Sequence, residues 1–226
     1  MQLVIGNKNY SSWSMRPWVL LKHHGLPFEE VMVPFDDMGP DSAFKRRVLE
    51  ISPAGRVPLL VDGPLVVWDT LAIAETLAER FPELALWPRD AARRARARSL
   101  AAEMHSGFGA LRNHFPMNIE ARLAEVGARV YAAQADARAD VARIVASWQD
   151  ALETSGGPFL FGEFGNADAF YAPVVMRMLT YDLPLPEAAR AYVERVRLSP
   201  GVAAWIREAL EEHRFVPFDE PYRSAP

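Results

Sequence analysis

The sequence predicts an α/β segment followed by an all-α segment, and three observations carry that expectation. Short runs rich in β-branched and other apolar residues alternate with helical patterns up to Arg80. A hairpin dipeptide, Asp62-Gly63, lies between the runs "RVPLLV" and "PLVVWD". Beyond Arg80 the strand patterns stop, and apolar residues recur at spacings of three and four.

Taken in order, "QLVIG" reads as a buried strand and residues 15–24 as a helix. Pro17 has no N–H and fits only a first helical turn, so this helix starts a few residues before it. "FEEVMVPF" (28–35) is a second strand and 41–50 a helix. The runs around Asp62-Gly63 form an antiparallel hairpin, and a helix runs from Thr70 to Arg80. The order is βαβ then ββα, a parallel pair closed by a hairpin, which makes residues 1–80 one domain. "FPELALWPRD" carries two prolines and no clean period, so 81–88 read as a linker. Residues 89–226 read as an all-helical domain. Leu100, Met104, Phe108, Leu111 and Phe115 form one apolar stripe, and 120–154, 168–180, 187–198 and 201–213 are further helices before an extended, proline-containing tail.

Composition narrows the function classes. The chain has 226 residues, half of them apolar, a net charge of −4 and no cysteine. Such a balance has no basic field for nucleic acid. One cluster, "RDAARRARAR" from Arg89, is either a solvated helix face or subunit contact, or a phosphate-binding patch. The start lacks signal-peptide features and no apolar run approaches the roughly 20 residues of a membrane span, so a cytoplasmic address and no membrane partner are expected. Without cysteine there are no disulfides, thiolate zinc sites or cysteine nucleophiles. The five histidines show no metal spacing, so no metal is expected, and His23-His24 close a helix where positive charge is favourable.

The segment "NYSSWSMRPW" holds the first candidate site. Ser11 and Ser14 lie at or just before a helix start, where free N–H groups and the positive dipole end favour an anion. A thiolate is such an anion. No adjacent base makes a serine here a nucleophile, but its hydroxyl can donate to a ligand's sulfur and lower that thiol's pKa. The alternative is that these serines only cap the helix. Pro58 in "SPAGRVPLL" opens the third strand, and the sequence alone favours a trans bond there. Asp69 and Thr70 in "WDTLAIAETL" start a helix as caps or as ligands for a charged group.

Together these motifs resemble those of the soluble glutathione S-transferases, over nearly the whole chain. "SSWSMRPWVLLKHHGLPFE" is similar to the S-S-C-x-W-R stretch of the zeta class, with Trp13 in place of the cysteine. "WDTLAI" is similar to the family's E-S-x-A-I motif, and "FGNADAFYAP" to its S/T-x-x-D capping box, with Gly165 in place of Ser or Thr and with Asp168 and Pro173 matching. The resemblance implies a bacterial, serine-type member: a thioredoxin-like domain followed by a helical-bundle domain, homodimeric and serving detoxification. It implies Ser11 or Ser12 as thiol activator, and Arg16, Arg56, Val57, Pro58, Asp69 and Thr70 as glutathione-binding residues. It also implies a cis Val57–Pro58 bond that presents the Val57 backbone to an extended tripeptide. Met15, Met104, His105, Phe108 and Arg112 are the candidates for the electrophile pocket. Glutathione enters as co-substrate. The expected reaction is thiolate attack on a small electrophile. The alternatives are a maleylacetoacetate-type cis–trans isomerase, with Arg177 as its carboxylate anchor, or a binding module without catalysis.

Overall fold

The computed structural model describes residues 1–37 and 39–225. Strands β1 (Gln2–Ile5), β2 (Glu29–Met32), β3 (Leu59–Asp62) and β4 (Leu65–Val67) form one sheet in the order β2-β1-β3-β4. β1 runs parallel to β2 and antiparallel to β3, and β3 antiparallel to β4. With helices α1 (Ser12–His23), α2 (Ala43–Leu49) and α3 (Thr70–Arg80), the βαβ-then-ββα order of the sequence holds. The period of two explains both faces of the central strand. Leu3 and Ile5 enter a core shared with Met15, Trp18 and Ile73, whereas Val4 joins Leu59, Phe44 and Val48 on the opposite face.

Seven helices follow: α4 (Ala91–Ser106), α5 (Gly109–His114), α6 (Ala124–Ala133), α7 (Ala135–Ser155), α8 (Asn166–Thr180), α9 (Glu187–Leu198) and α10 (Pro200–Glu211). α8 is buried along nearly its whole length, mostly by apolar residues but with Asp168 and Arg177 among them, as a bundle's central helix must be. The Asp168 carboxylate holds its start, accepting from the Gly165 N–H (3.1 Å), the Leu160 N–H (3.1 Å) and the Tyr192 hydroxyl (2.9 Å). With no side chain at Gly165, only the Asp168 half of that cap exists. α10 meets α1 almost backbone to backbone. A Cβ at Gly201 would stand 2.1 Å from the Val19 carbonyl oxygen, so this crossing needs glycine. None of the described helices is long and apolar enough to cross a membrane.

Several expectations change. The hairpin loop is Gly63-Pro64, because Asp62 pairs with Leu65; the positive φ of 60° falls at the first loop residue. Pro17 sits inside α1 as its sixth residue, so the helix begins earlier than a first-turn proline would place it. The stripe from Leu100 to Phe115 is not one helix. The chain breaks at Gly107-Phe108, where Phe108 takes φ 55°, so the five side chains stay in the core while the backbone turns. The stretch 120–154 divides into α6 and α7 at Gln134. The arginine cluster is engaged by neighbours: Arg93 bonds the Phe161 carbonyl, Arg94 those of Pro88 and Arg89, Arg96 pairs with Asp150 and Arg98 with Glu75. That favours the helix-face reading over a phosphate patch.

The His pair is likewise not a charged helix end. His23 stacks on Phe164 with ring centroids 4.2 Å apart, and burial pushes its pKa down to about 4 and that of His24 down as well. Both rings are neutral near pH 7. A folded-state pKa below the ordinary 6.5 means that unfolding takes up protons as pH falls. Their stabilising contribution is therefore intact above that value and lost as pH drops toward 4. The thermal midpoint should fall across this window, and His23→Phe should flatten the fall; an unchanged slope contradicts this.

Candidate active site

The site is a cleft of about 810 Å³ between the sheet domain and the helices. Its walls include Ser11, Ser12, Arg56, Val57, Pro58, Asp69, Thr70, His105 and Arg112. The serine turn is held from far along the chain. Asn7 bonds Glu212, the residue after α10, and accepts from the Phe35 N–H (2.6 Å), and Asn9 accepts from the Ile119 (2.7 Å) and Glu120 (2.9 Å) N–H groups. Between them Lys8 is buried with Glu30 and Glu208 and lies over the rings of Trp18 and Trp205. A buried cation paired twice is costly to break and fixes the loop.

Ser11 occupies the N-cap position of α1, yet its hydroxyl makes no cap bond. Its oxygen lies 2.7 Å from that of Ser14, which also accepts from the Gly6 N–H at 3.2 Å. The capping alternative therefore does not account for Ser11. Among the described residues, the N–H groups of Trp13 and Ser14 have no backbone or side-chain acceptor. Ser12 lines the same cleft, with its hydroxyl 3.5 Å from Arg177 Nη2.

Across the cleft the Val57–Pro58 peptide is cis, and no described residue bonds the Val57 N–H or C=O. Thr70 and Asp69 begin α3, where Asp69 accepts from the Leu71 N–H (3.0 Å). A chain of contacts joins them to both halves of the molecule. Arg16 Nη1 donates to Thr70 Oγ1 (3.3 Å), Thr70 Oγ1 lies 3.4 Å from His105 Nδ1, and His105 Nε2 lies 3.1 Å from Asp69 Oδ2. The order is satisfied when Thr70 donates to Nδ1 and the Nε2–H donates to Asp69.

Other sequence candidates lie elsewhere. Arg16 is 2% exposed and stacks between Trp13 (4.2 Å) and Phe170 (5.0 Å), so it reaches the cleft only through Thr70. Burial and the neighbouring Arg112 and Arg177 push its pKa down to about 9, which leaves it charged. Met15, Met104 and Phe108 fill the core and do not line the cleft, because the apolar face of their helices is the face that packs. His105 and Arg112 stand on different helices, α4 and α5, and meet through the Gly107-Phe108 turn.

Pro116, Met117 and Asp219 line the wall without having been singled out from the sequence. Pro116 and Met117 lie outside any periodic segment, and Asp219 sits in the tail, so no spacing signal marked them. Arg177 is fully lined by protein, with Nε and Nη1 unpartnered and its pKa pushed down by burial to about 10. Among the described residues no group of three or more His, Cys, Asp or Glu side chains could hold a metal ion.

Comparison with known proteins places these features in a family. Residues 10–80 match the "Glutathione S-transferase, N-terminal domain" model and 119–208 the "Glutathione S-transferase, C-terminal domain" model. Glutathione S-transferase 1 of Dianthus caryophyllus is 31% identical over 182 residues, covering 80% of this chain and 78% of that one. A zeta-class glutathione S-transferase of Euphorbia esula is 29% identical over 75% of this chain and 73% of its own length. A glutathione transferase homologue from Burkholderia, solved with bound glutathione, has the same fold, with a TM-score of 0.68 at 24% identity over 94% of this chain and 98% of that one.

Burial, the largest influence on His105, lowers its pKa, and Arg16 and Arg112 act in the same direction against Asp69. NMR should find this imidazole titrating below 6.5, with the Nε2–H tautomer, and Asp69→Asn should lower the midpoint further. A midpoint raised above the free value would contradict the dominance of burial over the Asp69 contact, and an Asp69→Asn midpoint left unchanged would contradict the contact itself.

Proposed function

Because the chain belongs to the glutathione S-transferase family, we propose that it is a serine-type transferase whose Ser11 activates the glutathione thiol for attack on a small electrophile bearing a carboxylate. The cleft suits the tripeptide. The unpaired Val57 N–H and C=O offer an edge for an extended peptide backbone, and a volume of about 810 Å³ is ample for the peptide and a second small molecule. Glutathione, when bound, supplies the sulfur nucleophile.

The observation that carries the reading is the Ser11 hydroxyl, which stands in the cleft wall at the N-cap of α1 without making a cap bond. It donates to Ser14 Oγ (2.7 Å), which also accepts from the Gly6 N–H, and rotating both hydroxyls so that Ser14 donates to Ser11 turns the Ser11 proton toward a ligand in the cleft. A thiolate beside Ser11 then receives that donor together with the N-terminal end of α1. Asp69 can pair with the γ-glutamyl ammonium and the α3 start can receive its carboxylate, while Arg56 lies at the exposed rim beside Val57. Arg177 and Arg112 supply positive charge beside Ser12, where the electrophile would lie.

The same buried arginine supports a second reading, a cis–trans isomerase. There the thiolate would add to a double bond of a carboxylate substrate and leave again after rotation, with no net change in glutathione. A probable maleylacetoacetate isomerase of Caenorhabditis elegans is 34% identical, over 45% of both chains. Family membership also supports a cytoplasmic homodimer serving detoxification. A module that binds glutathione without turning over any electrophile is the outcome that would remove catalysis from this account.

Ser11→Ala should keep the wild-type thermal midpoint but lose about 10- to 1000-fold in kcat at neutral pH, the effect of removing one oriented donor. Ser14→Ala should lose less, because a water or Ser11's own rotation can replace it. A full loss in Ser12→Ala with none in Ser11→Ala would transfer the role to Ser12.

A further inference from the structure

The chain's last turn brings a carboxylate to the electrophile end of the cleft. The segment after α10 folds back over Tyr10, and its 3-10 turn, Pro217–Asp219, forms part of the cleft wall. Two adjacent acidic residues there have separate tasks. Glu220 is 5% exposed and anchors the segment: it accepts from the Tyr10 hydroxyl (2.7 Å), Asn118 Nδ2 (2.8 Å) and Arg223 Nε (2.9 Å). The Val216 N–H donates to the same Tyr10 hydroxyl (3.3 Å), and the Tyr222 hydroxyl donates to the His114 carbonyl (2.9 Å). Asp219 takes no part in this anchoring. Its side chain has no hydrogen-bond or ion-pair partner among the described residues, yet it lines the cleft together with Arg177 and Arg112.

We propose that Asp219 sets the charge selectivity of this end of the cleft, favouring an electrophile with one carboxylate over a dicarboxylate. The inference rests on the transferase reading and deepens it. Arg177 on α8 lines the cleft with its Nη2 3.5 Å from Ser12 Oγ, so one incoming carboxylate gains a charged partner there. Arg112 on α5 adds positive charge, and Asp69 on the opposite wall is engaged by His105. A second carboxylate would meet Asp219 across a partly desolvated gap, where like charges repel far more than in bulk water. Burial and Glu220 push the Asp219 pKa up to about 6, opposed by Arg177, so the group is ionised at neutral pH. Discrimination between charged partners by a repulsive group is a common route to specificity.

Calorimetry with three glutathione conjugates tests this without needing turnover: S-ethylglutathione, S-carboxymethylglutathione and S-(1,2-dicarboxyethyl)glutathione. Asp219→Asn should tighten the dicarboxyethyl conjugate about fivefold to tenfold relative to the S-ethyl conjugate. Asp219→Glu should restore the wild-type order. An unchanged ratio overturns the proposal. Equal weakening of all three conjugates in Asp219→Asn overturns it too, because that is the signature of a residue that only supports the wall. If no conjugate binds the wild type, the transferase reading fails and this inference falls with it.

Discussion

The position of the α1 N-terminus is the constraint on which the rest of the structure depends. Three residues, Asn7-Lys8-Asn9, lead into it, and together they are tied to several distant parts of the chain. Glu208 of α10 and Glu212 just after it reach them from one side, Glu30 from the strand beside β1, and the amides of Ile119 and Glu120 from the loop before α6. A turn carrying so many polar groups would be mobile if exposed. Burying it with Lys8 ion-paired twice and Asn7 and Asn9 hydrogen-bonded makes it rigid, at the cost of requiring contributors spread over two hundred residues. The hydroxyl of Ser11 inherits that rigidity. A donor that need not reorganise when charge appears beside it is worth more than one free to turn.

The same logic joins the two halves of the cleft. Arg16, inside α1, stacks on Trp13 and reaches Thr70 at the start of α3, and Thr70 touches His105 at the end of α4. His105 closes on Asp69. Through this chain the start of α3 is coupled to a helix of the other domain. The tail completes the enclosure, since Tyr10, next to Ser11, is the residue over which it folds. Helical domain, serine turn and C-terminal segment therefore share one set of supports.

Much of this was legible in the sequence, and the reasons for success and failure are physical. Short apolar, β-rich runs mark β1 to β4, of which β1 and β3 bury contiguous residues, and the hairpin is legible although its loop lies one residue later, at Gly63-Pro64. Helix starts were less visible: Pro17 pointed to a first turn and stands in the second. The apolar stripe from Leu100 to Phe115 marked core residues correctly but not their backbone, because spacing of three and four survives a break at Gly107-Phe108. Motif reasoning named the residues that meet at the cleft in "SS", "RVP" and "DT". It cannot tell a side chain that faces the cleft from one that supports it: Arg16 is expected to bind glutathione and Met15, Met104 and Phe108 to line the electrophile pocket, and all four lie behind the wall. Asp219 had no signal at all, since an acidic residue in a proline-rich tail looks like any solvated charge.

The central claim is that Ser11 and the start of α1 hold a borrowed sulfur as an anion. The most direct measurement is an ultraviolet difference titration of the thiolate band in the enzyme–glutathione complex, compared with free glutathione. The account requires the bound thiol to ionise well below the value of about 8.5 for an ordinary thiol, and to return toward it in Ser11→Ala. A bound thiol that ionises at the same pH as the free one would contradict it.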